Sequence, residues 1–191
     1  MLKKVLVYCA NLWYALNNKR IGNRRCFTMK RKMSELEKRA NNILVENDML
    51  KLPVDLIKIA DNYNIDVYYK ELPDGISGAI KYDIKDEKFK ILLAKNESKK
   101  RTRFTLAHEL AHYFLAQEEL KNNQEIHFDT LYRKSTDNNE WEVDYFAGAL
   151  LMDKELLERA HKEISSISTL AKVFDVSDTA MTVRLIKLGL I

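Results

Sequence analysis

From residue 27 onward this chain contains no cysteine. Both of its cysteines, Cys9 and Cys26, lie near the start, so the body can form no disulfide and offer no thiolate to a metal. That fits a reducing, cytoplasmic setting. Only two prolines and five glycines occur in 191 residues, which excludes long linkers and low-complexity tracts. No internal repeat is present. The apolar stretch in "MLKKVLVYCANLWYAL" is broken by Asn11 and is too short to span a bilayer. No small-x-small cleavage site follows it, and the next residues, "NNKRIGNRRC", are basic again, so a secretory leader is not supported.

Acid is also missing, from one place. Residues 1–33 hold nine Lys/Arg (Lys3, Lys4, Lys19, Arg20, Arg24, Arg25, Lys30, Arg31, Lys32) and neither Asp nor Glu. The whole chain is +4 and this segment +9, so the rest carries −5. A basic arm precedes a mildly acidic body, and a pI of 8.9 is then no argument for nucleic-acid binding. We read residues 1–33 as a basic extension outside the folded domain, with Met29 and Met33 as alternative starts. A membrane-surface segment is the competing reading.

What is present describes a globular α+β protein. Hydrophobic residues make up 46% of the chain and charged residues 31%, and the length suits one domain with a small appendage. Ser34 with Glu37 reads as a capping box, followed by an apolar face of Leu36, Ala40, Ile43 and Leu44. A second helix begins near "LPVDLIKIADNY", with Pro53 in its first turn and Leu56, Ile57, Ala60 and Tyr63 inward. Three short strands follow at 66–72, 76–84 and 88–94, the last two a hairpin. Together they predict a small three-stranded antiparallel sheet packed with helices. Gly75 and Gly78 mark a bend or a close backbone approach. Helices are expected at about 99–118, over "EWEVDYFAGALLM", and over three shorter segments to the end. The domain reading is 34–160 for the main domain and 161–191 for a C-terminal helical subdomain packed on it.

The helix at 99–118 carries His108-Glu109-Leu110-Ala111-His112, an HExxH sequence. Residues four apart lie on one helix face about 6 Å apart along the axis, so two imidazoles can converge on one ion. Glu109 is then placed to take a proton from a water that zinc has made acidic, and to pass it to a leaving amine. The bland alternative is a polar helix face whose histidines bond to their neighbours. A catalytic zinc usually takes three protein ligands. "NNEWEVDYFAGALLM" offers Glu140, Glu142 and Asp144 on an otherwise apolar helix. Glu140 and Asp144 share a face, while Glu142 points elsewhere. If Glu140 is the ligand, Asp144 is placed to hydrogen-bond a ligand histidine.

The pair "RTRFTLAHELAHYFL" and "EWEVDYFAGALLM", with "GISGAI" before them, resembles the ImmA/IrrE family of bacterial metallo-endopeptidases. The likeness covers roughly residues 34–191 and is densest at 75–153. It implies a zincin-like fold, one zinc ion held by His108, His112 and Glu140, and Glu109 as general base. It also implies cleavage of a helix-turn-helix transcriptional repressor, releasing mobile-element or stress genes. Two positions depart from the family pattern. Ala111 stands where Gly is frequent, and Asp153 where Pro is usual after "LLM"; neither touches the chemistry.

Further candidates are His127, Tyr132 and Arg133, which could stabilise an oxyanion. Arg101 and Arg103 read as packing or ion-pairing residues, and His161 as exposed. The C-terminal "TLAKVFDVSDTAMTVRLIKLGLI" has the cadence of a helix-turn-helix, but Arg184 and Lys187 stand among apolar residues, which favours packing or partner docking over DNA reading. The hairpin 76–94 is a candidate edge for holding a substrate peptide as an added strand. Two other functions remain in view: a non-proteolytic regulator that binds a repressor or a toxin–antitoxin partner, and a DNA-binding protein acting through its C-terminal helices.

Overall fold

The computed structural model describes residues 23–122, 127–130 and 140–191. Its first helix, α1 (Asn23–Glu46), starts well before Ser34. The expected capping box is therefore not one: Ser34 sits exposed in mid-helix, and Glu37 does other work. The basic segment before it has no Gly or Pro from Asn23 on to stop a helix, and Met29 and Met33 extend the apolar stripe of Leu36, Ala40, Ile43 and Leu44. The boundary expected at 33/34 thus falls within a helix. The helix ends in a Schellman turn: Asp48 is left-handed (φ 54°), and its N–H donates to Val45 O while that of Met49 donates to Leu44 O.

Helix α2 (Leu56–Asn62) is capped by Asp55, whose carboxylate accepts from Lys58 N. Pro53 precedes the helix rather than opening it. Leu56 and Ala60 are buried as expected, but Ile59 joins them and Ile57 is 39% exposed, the reverse of the expectation for Ile57.

The α+β class holds, with a larger sheet than expected. β1 (Ile65–Lys70), β2 (Ile76–Asp83), β3 (Lys88–Ala94) and β4 (His127–Thr130) form a four-stranded sheet in the order β1-β3-β2-β4. It is mixed rather than antiparallel. β1 runs parallel to β3, Val67 opposite Ile91, while β2 pairs antiparallel with β3 and with β4. The reason lies in β3, whose Phe89, Ile91 and Leu93 are all buried. That strand takes a central place, and residues 71–75 carry the chain across its end. Gly75, at φ 86°, makes that bend in a conformation an L side chain resists.

Seven helices occur among the described residues. α3 (Lys99–Asn122) packs across the sheet and bends at Ala116, where φ and ψ leave the helical region. α4 (Glu140–Leu151) lies beside it and is buried from Tyr145 to Leu151. α5 (Lys154–Glu163), α6 (Ile167–Val173) and α7 (Asp178–Leu188) complete the fold. The division expected at 160/161 falls inside α5, and His161 is half-buried rather than exposed. Asp153 caps α5 by accepting from Leu156 N, and its other oxygen accepts from Asn41 Nδ2 of α1 at 3.0 Å.

One ion pair joins the first and last helices. Arg184 is 2% exposed, and its Nη1 and Nη2 donate to the two oxygens of Glu37 at 2.6 and 2.8 Å. Its Nε donates to Met152 O, and the Tyr145 hydroxyl also donates to Glu37. Burial pushes the guanidinium pKa down, but the Glu37 carboxylate outweighs that and holds it above its ordinary value. Arg184 was the foremost base on the would-be recognition helix, and it is spent on the core.

Candidate metal centre

Two helices build the site. α3 places His108 and His112 one turn apart, and α4 begins with Glu140 facing them. The Nε2 atoms of the two histidines lie 3.1 Å apart. Glu140 Oε2 is 3.6 Å from His108 Nε2, and its Oε1 is 4.0 Å from His112 Nε2. One ligand atom from each of the three residues lies within 4.8 Å of the others. Zinc bonds of about 2.0–2.1 Å in tetrahedral array require ligand edges of roughly 3.3 Å. The two imidazoles stand close to that spacing and Glu140 somewhat beyond it, in a donor set of two imidazoles and a carboxylate that suits zinc.

Asp144, one turn after Glu140, supports this arrangement. Its Oδ1 is 3.1 Å from His108 Nδ1. With the proton on Nδ1 and donated to Asp144, the Nε2 lone pair faces Glu140 and His112. Glu142 turns the other way and pairs with Lys32 of α1, as the 100° helical step dictates. His108 is 4% and Glu109 1% exposed. Glu109 lies against β2 at Gly78, where an added Cβ would stand 3.2 Å from Glu109 Oε1 and only 2.4 Å from Thr105 Cγ2. Gly78 is thus the close approach that lets the strand reach the helix of the HExxH sequence.

Arg101 and Arg103 make structural contacts. Arg101 donates to Ser77 Oγ and lies 3.5 Å from Glu97. Arg103 donates to Val54 O and approaches Asp175. His127 falls on β4, opposite Ile80, and only its backbone is described. Tyr132 and Arg133 lie outside the described residues. The hairpin is not a sheet edge: β2 is covered by β4, and β3 lies between β1 and β2. Among the described residues the edge on the β2 side of the sheet is therefore β4. The expectation failed because four residues, 127–130, are too short to show a strand period.

The chain matches the family of the IrrE N-terminal-like domain, Peptidase M78, over residues 60–185. It belongs to that family. The match spans both metal-ligand helices. A solved structure described as a Mycobacterium tuberculosis transcriptional regulator shares the fold, with a TM-score of 0.56 at 19% identity, over 80% of this chain and 46% of that one. The chain thus spans about half the length of that protein. No curated protein matches it. No helix among the described residues is long and apolar enough to cross a membrane.

Sequence reasoning passed over a neighbouring feature. Behind Asp144 lies a cavity of about 260 Å³ between α3, α4 and α7. The available signal was Gly148, a glycine in the interior of a buried helix, where alanine is favoured by about 1 kcal/mol.

Proposed function

We propose that this chain is a zinc-dependent endopeptidase of the cytoplasm. The observation that carries the proposal is the convergence of one ligand atom each from His108, His112 and Glu140 to within 4.8 Å of one another, with Glu109 buried beside them. Bound there, zinc supplies Lewis-acid polarisation of a peptide carbonyl and brings a water's pKa to near neutrality. The chain's own residues do the rest. Asp144 fixes the tautomer of His108. Glu109 accepts the proton of the attacking water and delivers it to the departing amine. The peptide lies along β4 as an added strand, recognised by its main chain.

For the substrate we propose a helix-turn-helix transcriptional repressor, as the resemblance implies. The test co-expresses the protein with such a repressor encoded beside its gene and reads fragments by mass spectrometry. Defined fragments with the wild type and none with Glu109→Ala are expected. Cleavage that persists in Glu109→Ala would refute the mechanism.

The likeness to a transcriptional regulator supports a second reading, in which the domain binds a repressor without cutting it. Stoichiometric complex with intact repressor, from wild type and Glu109→Ala alike, would establish that reading instead.

A further inference from the structure

The cavity behind Asp144 is a neighbour of the metal centre rather than part of it. Among its described lining residues are none of His108, Glu109, His112 and Glu140; it meets the centre at Asp144, whose Oδ1 contacts His108. Phe104, Met152, Val176, Ala180 and Val183 supply apolar wall.

Gly148 lines it as well. A glycine inside a helix is often explained by close packing, but here a Cβ would meet nothing nearer than Arg184 Cδ at 4.0 Å. No protein atom requires the missing side chain. Its absence instead keeps the cavity open, at the cost of helix stability.

The charges are lopsided. Lys100, Arg101, Arg184 and Lys187 line the cavity against one carboxylate, Asp144. Arg184 is answered by Glu37 and Arg101 by Glu97. Lys100 and Lys187, the latter standing 5.4 Å from the Tyr145 ring centroid, remain to favour an anion.

Size narrows the ligand. A cavity of about 150 Å³ holds benzene, and drug-sized ligands take roughly 300–1,000 Å³. A volume of about 260 Å³ fits an apolar body of about ten heavy atoms.

We propose that this cavity binds a small carboxylate with an apolar body, of the arylalkanoate or medium-chain fatty-acid class, and that its occupancy is coupled to metal binding through Asp144. The apolar body lies against Asp144 and displaces water from it. The Asp144–His108 hydrogen bond strengthens as water leaves, so His108 is held more firmly for the ion. By linkage, the metal raises affinity for the acid by the same factor.

The probes are 4-phenylbutyrate and octanoate, each with its matched alcohol, titrated calorimetrically into the full chain with and without zinc. One acid is expected to bind with one-to-one stoichiometry, about tenfold more tightly than its alcohol. Saturating acid is expected to raise zinc affinity about threefold or more in chelator competition. Gly148→Ala is expected to melt about 2–4 °C higher yet bind the acid several-fold more weakly. Ala180→Leu, which fills the opposite wall, is expected to abolish binding. Absence of binding by either acid at about 5 mM, equal binding to folded Ala180→Leu, or zinc affinity indifferent to bound acid each overturns the proposal. If Ala180→Leu instead slows cleavage of peptides bearing large apolar side chains and neither acid binds, the cavity belongs to the substrate and the proposal also fails. Neither binding nor zinc affinity needs peptidase activity, so these results stand apart from the test of Glu109.

Discussion

Replacing Asp144 with alanine isolates its contribution to the metal centre. Its side chain is 30% exposed, so truncation opens no core cavity and the fold should persist. What is lost is one hydrogen bond, Asp144 Oδ1 to His108 Nδ1 at 3.1 Å. Without it His108 is free to change tautomer and to turn, and its Nε2 no longer points reliably at His112 and Glu140. Loss of such a contact typically costs about 10–100-fold in metal affinity, or roughly 1.4–2.7 kcal/mol. Charge alone must be separated from this. Glu142→Ala removes the same charge from the same helix, but from a carboxylate directed at Lys32. It should change zinc affinity by less than about threefold, the scale of a screened surface charge. The assay is competition with a chromophoric chelator at low ionic strength and again in salt, with circular dichroism to verify folding. Equal losses in the two variants would show that net charge matters and orientation does not. An unchanged affinity in folded Asp144→Ala would refute the role of Asp144 outright.

Three further outcomes follow from the packing. Glu37→Ala strands the buried Arg184 guanidinium and should cost about 3–5 kcal/mol in urea denaturation, while Glu37→Leu with Arg184→Met should recover most of it; a single-variant loss below about 1 kcal/mol would contradict the buried pair. Gly78→Ala drives a Cβ to within 2.4 Å of Thr105 Cγ2 and should cost about 1–3 kcal/mol, relieved by Thr105→Ser, which removes that methyl; no relief would mean the clash lies elsewhere. Burial first, and then the Glu37 carboxylate, hold the Tyr145 phenol above its ordinary range. Its contribution is complete below the unfolded pKa of about 10 and is lost as pH rises from there toward the folded value. Melting temperature should therefore fall less steeply above pH 10 in Tyr145→Phe than in the wild type, and identical slopes would dismiss the effect.

The candidate metal centre was legible because helix geometry is local. Two histidines four residues apart must share a face, and Glu140 and Asp144 obey the same rule on the next helix. Glu142 was placed outward by that rule, and the structure agrees. What the sequence hid depends on distant partners. Nothing in residues 65–70 encodes that β1 lies parallel to β3, since strand direction is set by where the connection returns. β4 has too few residues to show alternation. The apolar neighbours of Arg184 pointed to packing, but its partner could not be named because Glu37 stands 147 positions earlier. Ile57 was misjudged for a nearer reason: it stands about 100° from Leu56, just outside the narrow arc that Leu56, Ile59 and Ala60 bury.

The Glu37–Arg184 clamp bears on how the protein is made. Glu37 is translated 147 positions before Arg184, so until Arg184 is made a growing chain on the ribosome lacks the partner that closes this network. Tyr145, in the same network, belongs to the helix that presents Glu140 and Asp144. The support behind the helix that presents Glu140 is therefore completed only after Arg184 has been made. Full assembly of the candidate site thus waits on a residue far downstream of the helix that first needs it.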